Sequence, residues 1–149
     1  MMRRSVIALC AVAVTSCARP APVEVRDVWA RETVGGSDTA AVFMTISAPA
    51  ADRLVAASTP VAKKTDLMTM RGGSDAMQMT YVQGIDIPAG KPVSLNAGGL
   101  HVWLAGLNRP LKAGENFPLT LTFAKSGDRQ LAVTVVKAAA APPDSAMRM

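Results

Sequence analysis

Four methionines and one histidine carry most of the chemistry this chain can offer. Met68 and Met70 form one Met-x-Met pair, and Met77 and Met79 form a second. Twenty-one residues separate Met79 from His101, the single histidine of the chain, and Trp103 lies two positions beyond it. Thioethers and a neutral imidazole suit a soft ion such as Cu(I), whereas Ca²⁺ and Mg²⁺ want oxygens that this stretch hardly supplies. Residues i and i+2 of a β-strand share a face. Each Met-x-Met pair can therefore aim two sulfurs in one direction, and His101 and Trp103 can share a face. A methionine on a strand ordinarily fills a core, and Met44 is read that way. For the four clustered methionines core and ligand readings both stand, because they flank Gly72-Gly73 and alternate with Thr69, Arg71, Gln78 and Thr80, which is unusual for a core.

The elements that must position these groups read as short strands. VEVRDVWARE alternates and carries Trp29, read as a core anchor. TAAVFMTISA follows a Gly35-Gly36-Ser37 turn, with Val42, Met44 and Ile46 on one face. RLVAAST makes a further strand. Lys63 to Met70 and Ala76 to Val82 form a hairpin around Arg71–Asp75 that sets the two Met pairs opposite each other, within reach of one ion. Val93 to Leu95 and LHVWLAGL flank a Gly-rich turn at Asn96 to Gly99. After a polar connection, PLTLTF and QLAVTVV alternate cleanly, with Leu119, Leu121 and Phe123, then Leu131, Val133 and Val135, on single faces. Eight or nine short strands about ten residues apart, without an amphipathic helix, specify an all-β, antiparallel sandwich or barrel of Greek-key type.

The ends read differently. MMRR followed by the apolar SVIALCAVAV is a targeting segment, too short to span a bilayer. Val14-Thr15-Ser16-Cys17 resembles a bacterial lipobox, in which cleavage leaves a cysteine free to take a lipid. The competing reading is an ordinary secretory leader with Cys17 incidental, and both export the protein. The expected plan is a signal peptide over 1–16, a tether over 17–23, one domain over 24–137 and a low-complexity tail over 138–149. That tail holds a third Met-x-Met, Met147 and Met149. Loss of Cys10 with the leader leaves one cysteine, hence no internal disulfide and no cysteine-based zinc site. Arg3 and Arg4 also lie in the leader, so the 16 basic residues fall to 14 against 11 acidic ones. That mild, scattered charge and the few aromatics argue against nucleic acid. One histidine, no clustered carboxylates, no Gly-x-Ser-x-Gly and no phosphate-cradling loop argue against an enzyme.

The run GGLHVWLAGLNRPLKAG is the most specific text in the chain. With VWARETVGGSDTAAVFMTIS, ADRLVAAST, AMQM, IPAG and PLTLTF, it resembles the periplasmic copper chaperones of the PCuAC (DUF461) type from about Val25 to Val136. The resemblance implies a cupredoxin-like β-barrel that carries Cu(I) toward cytochrome oxidase assembly. It also implies the ligand motif His-x10-Met-x21-His-x-Met. Met79 and His101 occupy two of those positions. Met68 stands where the first histidine belongs, and Trp103 where the last methionine belongs. The expected ligands are thus Met68, Met79 and His101. Trp103 is the expected cap, facing the ion through its π-system, and Met70 and Met77 are auxiliaries. Such a site favours Cu(I), and Ag(I) with it, over Cu(II).

Two functions of different class fit these residues. One is a monomeric Cu(I) metallochaperone or buffer, periplasmic and held to the membrane only by a lipid on Cys17, which passes copper to a recipient protein. The other is a divergent relative that has lost the metal and serves as a structural or protein-interaction lipoprotein.

Overall fold

Alternating β-branched and polar residues, broken every ten or so positions by Gly, Pro and Asn, leave the chain no route to a helix, and among the described residues none forms. The computed structural model describes residues 23–73 and 76–138; for residues 72–73 and 76–77 it describes the backbone alone. Among these described residues ten strands form: β1 (Glu24–Arg31), β2 (Thr39–Ser47), β3 (Asp52–Ser58), β4 (Ala62–Gly73), β5 (Ala76–Tyr81), β6 (Ile85–Ile87), β7 (Val93–Leu95), β8 (His101–Leu107), β9 (Asn116–Phe123) and β10 (Gly127–Val136). Their hydrogen-bonded order is β5-β4-β8-β2-β1-β10-β9-β3-β6, with β7 also paired to β2.

The sheet folds into two halves around one core. Val42, Met44 and Ile46 of β2, Leu67 of β4, and Val102 and Leu104 of β8 form one inner face. Leu54 of β3, Phe117, Leu119, Leu121 and Phe123 of β9, and Val133 and Val135 of β10 form the other. The chain crosses between the halves at β2–β3, β3–β4, β5–β6, β6–β7 and β8–β9, so it is a Greek-key sandwich and not a meander. Met44 is core filler, with 1% of its surface exposed. Val23, the last residue of the expected tether, is also buried.

The strands differ from the sequence expectation in two ways. β6 is an additional strand, a three-residue alternation too short to be distinguished from the loop around Pro88. The sheet is also mixed: β1 and β10 run parallel, with Trp29 beside Thr134 and Arg31 beside Val136. Parallel neighbours need no hairpin between them, so no local signal announces that the first and last strands meet.

A bulge in β1 decides which face Trp29 occupies. Val25 pairs with Ile46 and Arg26 with Thr45, but Trp29 pairs with Phe43 and Ala30 with Val42, one residue out of step. Asp27, in the left-handed region at φ 52°, sits in that irregularity. A single extra residue flips every later side chain to the other face. Ala30 therefore enters the core. Trp29 is buried as expected, but on the outer face beside Phe43 and apart from the main core.

Candidate metal centre

β4 lies between β5 and β8, and its register sets the face on which the sulfurs project. Met68 is the partner of His101 on β8 and of Tyr81 on β5, Met70 of Met79, and Asp66 of Trp103. Cross-strand partners share a face, with Cβ atoms about 4.5–5.5 Å apart. Met68, Met70, Met79, His101 and Trp103 consequently lie on one outer face, opposite the core-facing Leu67 and Val102. The hairpin brings the Met pairs together with an offset. Met70 faces Met79, but Met68 faces Tyr81, and Met77 faces Gly72. The reason is that β4 continues through Gly73, which pairs with Ala76, so Arg71, Gly72 and Gly73 are strand and not part of the turn expected across Arg71–Asp75; residues 74–75 lie outside the described residues. The side chain of Met77, and Cys17, Met147 and Met149, also lie outside the described residues.

Burial grades the donors. His101 and Met68 expose 3% and 4% of their surface, whereas Met79 exposes 39%. Met70 and Trp103 are half-buried. The inner part of this face is aromatic. Trp29 and Phe43 have ring centroids 4.7 Å apart, Phe43 lies 6.3 Å from His101, and Trp103 meets His101 edge-on at 6.2 Å. The guanidinium of Arg31 lies 5.6 Å from the Trp29 ring. Trp29 and Phe43 were not among the site residues the sequence pointed to; only knowledge of the β1 bulge would have brought Trp29 to this face.

The histidine is oriented by a backbone carbonyl. His101 Nδ1 lies 3.0 Å from the Gly99 carbonyl oxygen. A carbonyl only accepts, so Nδ1 carries the proton and donates it, which leaves the lone pair on Nε2. The Met70 N–H donates to the same oxygen at 3.1 Å. One carbonyl thus ties the Met-bearing β4 to the ring on β8. A tight turn presents it: Gly99 N–H donates to the Asn96 carbonyl, Asn96 N–H to the Leu100 carbonyl, and Gly98 N–H to Asn96 Oδ1. A carbonyl that fixes the tautomer is a common feature behind a metal-binding histidine.

Hard donors are scarce here. Among the described residues no three His, Cys, Asp or Glu side chains gather around a point. Asp66, the register partner of Trp103 on this face, is paired with Lys64 at 3.2 Å. That hydrogen bond and the charge of Asp66 raise the Lys64 pKa. The Lys64 ammonium also sits 5.2 Å from the Tyr81 ring. The face therefore offers thioethers and one imidazole nitrogen, a set matched to a soft monovalent ion.

Known proteins share both the text and the shape. The family model described as "Putative lipoprotein LpqE-like" matches residues 23–135. The "Putative lipoprotein Lxx21020" of Leifsonia xyli subsp. xyli is 27% identical, with 91% of this chain and 89% of that protein covered. Among solved structures, CuI-DR1885 from Deinococcus radiodurans is 32% identical, with a TM-score of 0.62, covering 85% of this chain and 87% of that one. The copper-bound PCuAC domain from PmoF2 is 21% identical, with a TM-score of 0.65, covering 80% of this chain and 96% of that one, a likeness of fold. The fold is the PCuAC cupredoxin-like β-sandwich.

Proposed function

The chain belongs to the LpqE-like family, of PCuAC type, and from that premise we propose that it is a Cu(I)-binding metallochaperone or copper buffer of the cell envelope. The family is of copper-chaperone type, and some of its relatives are copper-bound. The observation that carries the reading is the pairing of Met68 with His101 across β4 and β8, with the ring turned so that Nε2 is free. Met68, Met79 and His101 are the proposed ligands, and Trp103 the edge-on cap that keeps water and oxidant from the ion. Copper is the cargo. Two buried donors and one exposed one, Met79, suit an ion that must be held and then handed on to a recipient, such as a protein of cytochrome oxidase assembly. Cys17 is the proposed lipid anchor after removal of 1–16. Residues 17–23 tether the domain, which is monomeric and faces the periplasm, and 138–149 form a tail.

Competition against a Cu(I) chelator tests this. The protein should form a strong one-to-one complex that Met79→Ala with His101→Ala abolishes. Equally poor competition by both would sink the proposal. The second reading would then stand, a relative that has kept the sandwich and lost the metal. The observation in its favour is Trp103, an indole at the position of the motif's final methionine.

A further inference from the structure

We infer that Met70 supplies the donor that Trp103 cannot, so that the Cu(I) set is Met68, Met70, Met79 and His101, closed by Trp103. This rests on the reading of the face as a Cu(I) site and changes its composition.

An indole N–H is a donor only, with no lone pair for a metal. A site built on the motif positions alone therefore offers a d¹⁰ ion two sulfurs and one nitrogen. The strand register shows where a fourth ligand can come from. Met70 is the direct partner of Met79 on β5 and lies two residues along β4 from Met68 on the same face. It is diagonal to His101, the β8 partner of Met68. No other methionine of the hairpin adjoins all three. Met77 stands opposite Gly72, one step of about 6.8 Å further from His101 along the strand direction.

Room for the Met70 sulfur exists on the β8 side. The residue that faces Met70 there, by continuation of the register and by the Met70 N–H to Gly99 carbonyl bond, is Gly99. It has no side chain, and a Cβ built on it would meet only Asn96 Oδ1, at 3.5 Å, beyond its chain neighbours. The place where a β8 side chain would crowd Met70 and the imidazole is therefore open. The carbonyl that orients His101 is the same one that holds the Met70 backbone. The His101 ring and the Met70 backbone are thus tied to one another through a single atom.

The set is three thioethers and one imidazole. Relative to the motif, its centre moves from Trp103 toward the hairpin. That leaves Trp103 on the rim away from the hairpin as a cap, with no place in the coordination.

Met70→Leu keeps the side-chain volume and so the fold. Two measurements decide. Cu(I) competition should show Met70→Leu weakened by about 10–100-fold, at least what removal of an outer-shell partner costs. In methyl spectra of protein labelled at methionine, Ag(I) should shift the methyls of Met68, Met70 and Met79 and leave that of Met44, in the core, unmoved. Ag(I) that binds without moving the Met70 methyl, or a Met70→Leu protein of unchanged affinity, would overturn the four-donor set and leave the three-donor site standing. If the unmodified protein binds neither ion, the Cu(I) reading fails and this inference with it.

Discussion

Met68 and His101 face each other directly across the β4–β8 ladder, both almost wholly buried, on the side of the sheet away from the main core. A buried thioether beside a buried imidazole can serve packing as well as metal binding. A same-volume change separates the two roles. Met68→Leu should cost less than about 1.5 kcal/mol in stability. It should weaken Cu(I) by more than the about 10–100-fold expected for an outer-shell change. Calorimetric unfolding of the apo-protein and chelator competition, on the same preparation, would check both. A Met68→Leu protein that binds Cu(I) as tightly as the parent removes Met68 from the ligand set.

The two tryptophans should report copper unequally. Trp103 meets the His101 ring at 6.2 Å, whereas Trp29 reaches it only through Phe43. Quenching of tryptophan emission by Cu(I) should be largely lost in Trp103→Phe and largely kept in Trp29→Phe. Because Trp29 shares the face, a minor loss is expected there too. Equal losses would mean that Trp103 has no special contact with the ion.

How far the chain can be read without coordinates follows from the range of each signal. Strict alternation in PLTLTF and QLAVTVV fixes the buried faces of β9 and β10 locally. Two members of the proposed site, Met79 and His101, follow from spacing set against a family motif. The hairpin register does not, because a Gly-Gly next to Ser74-Asp75 allows the turn to slide by two residues, and each such slide keeps the face while changing the partner. The face of Trp29 was not legible either, since a bulge at Asp27 leaves no compositional mark. The parallel β1–β10 contact joins segments about a hundred residues apart, beyond any local pattern.

A buried carboxylate far from this face should govern acid stability. Asp52 accepts the N–H groups of Arg53, Lys125 and Ser126 and the Ser126 hydroxyl, clamping the β9–β10 turn onto β3. Burial pushes its pKa up, but these four bonds outweigh it and the net shift is downward. A carboxyl with a folded pKa below its unfolded one adds stability above the unfolded value and loses it as pH falls through the folded one. Asp52→Asn should therefore cost about 2 kcal/mol at neutral pH, for the loss of charged hydrogen bonds. The gap between the two proteins should close below about pH 4, the ordinary carboxylate range. Urea unfolding at a series of pH values would show it. A gap that stays constant down to about pH 2, well below that range, would contradict the clamp.

The bulge at Asp27 gives the sharpest structural test of how the metal face is assembled. Asp27 adopts φ 52°, a region open to Gly and tolerated by Asp and Asn. Asp27→Gly should leave stability within about 1 kcal/mol of the parent, since relief of strain offsets the added chain entropy. Asp27→Val should lose at least the about 1–2 kcal/mol that the left-handed region costs an ordinary residue. Deleting Asp27 goes further, because it removes the one extra residue between the Arg26–Thr45 and Trp29–Phe43 pairs, so that Val28 would face Met44 while Trp29 kept Phe43 as its partner and the outer face as its side. That variant should fold with Trp29 still beside Phe43 and with its Cu(I) affinity unchanged. A deletion that cost Cu(I) affinity while the fold was kept would mean that the bend of β1 at the bulge, and not only the face of Trp29, shapes the site.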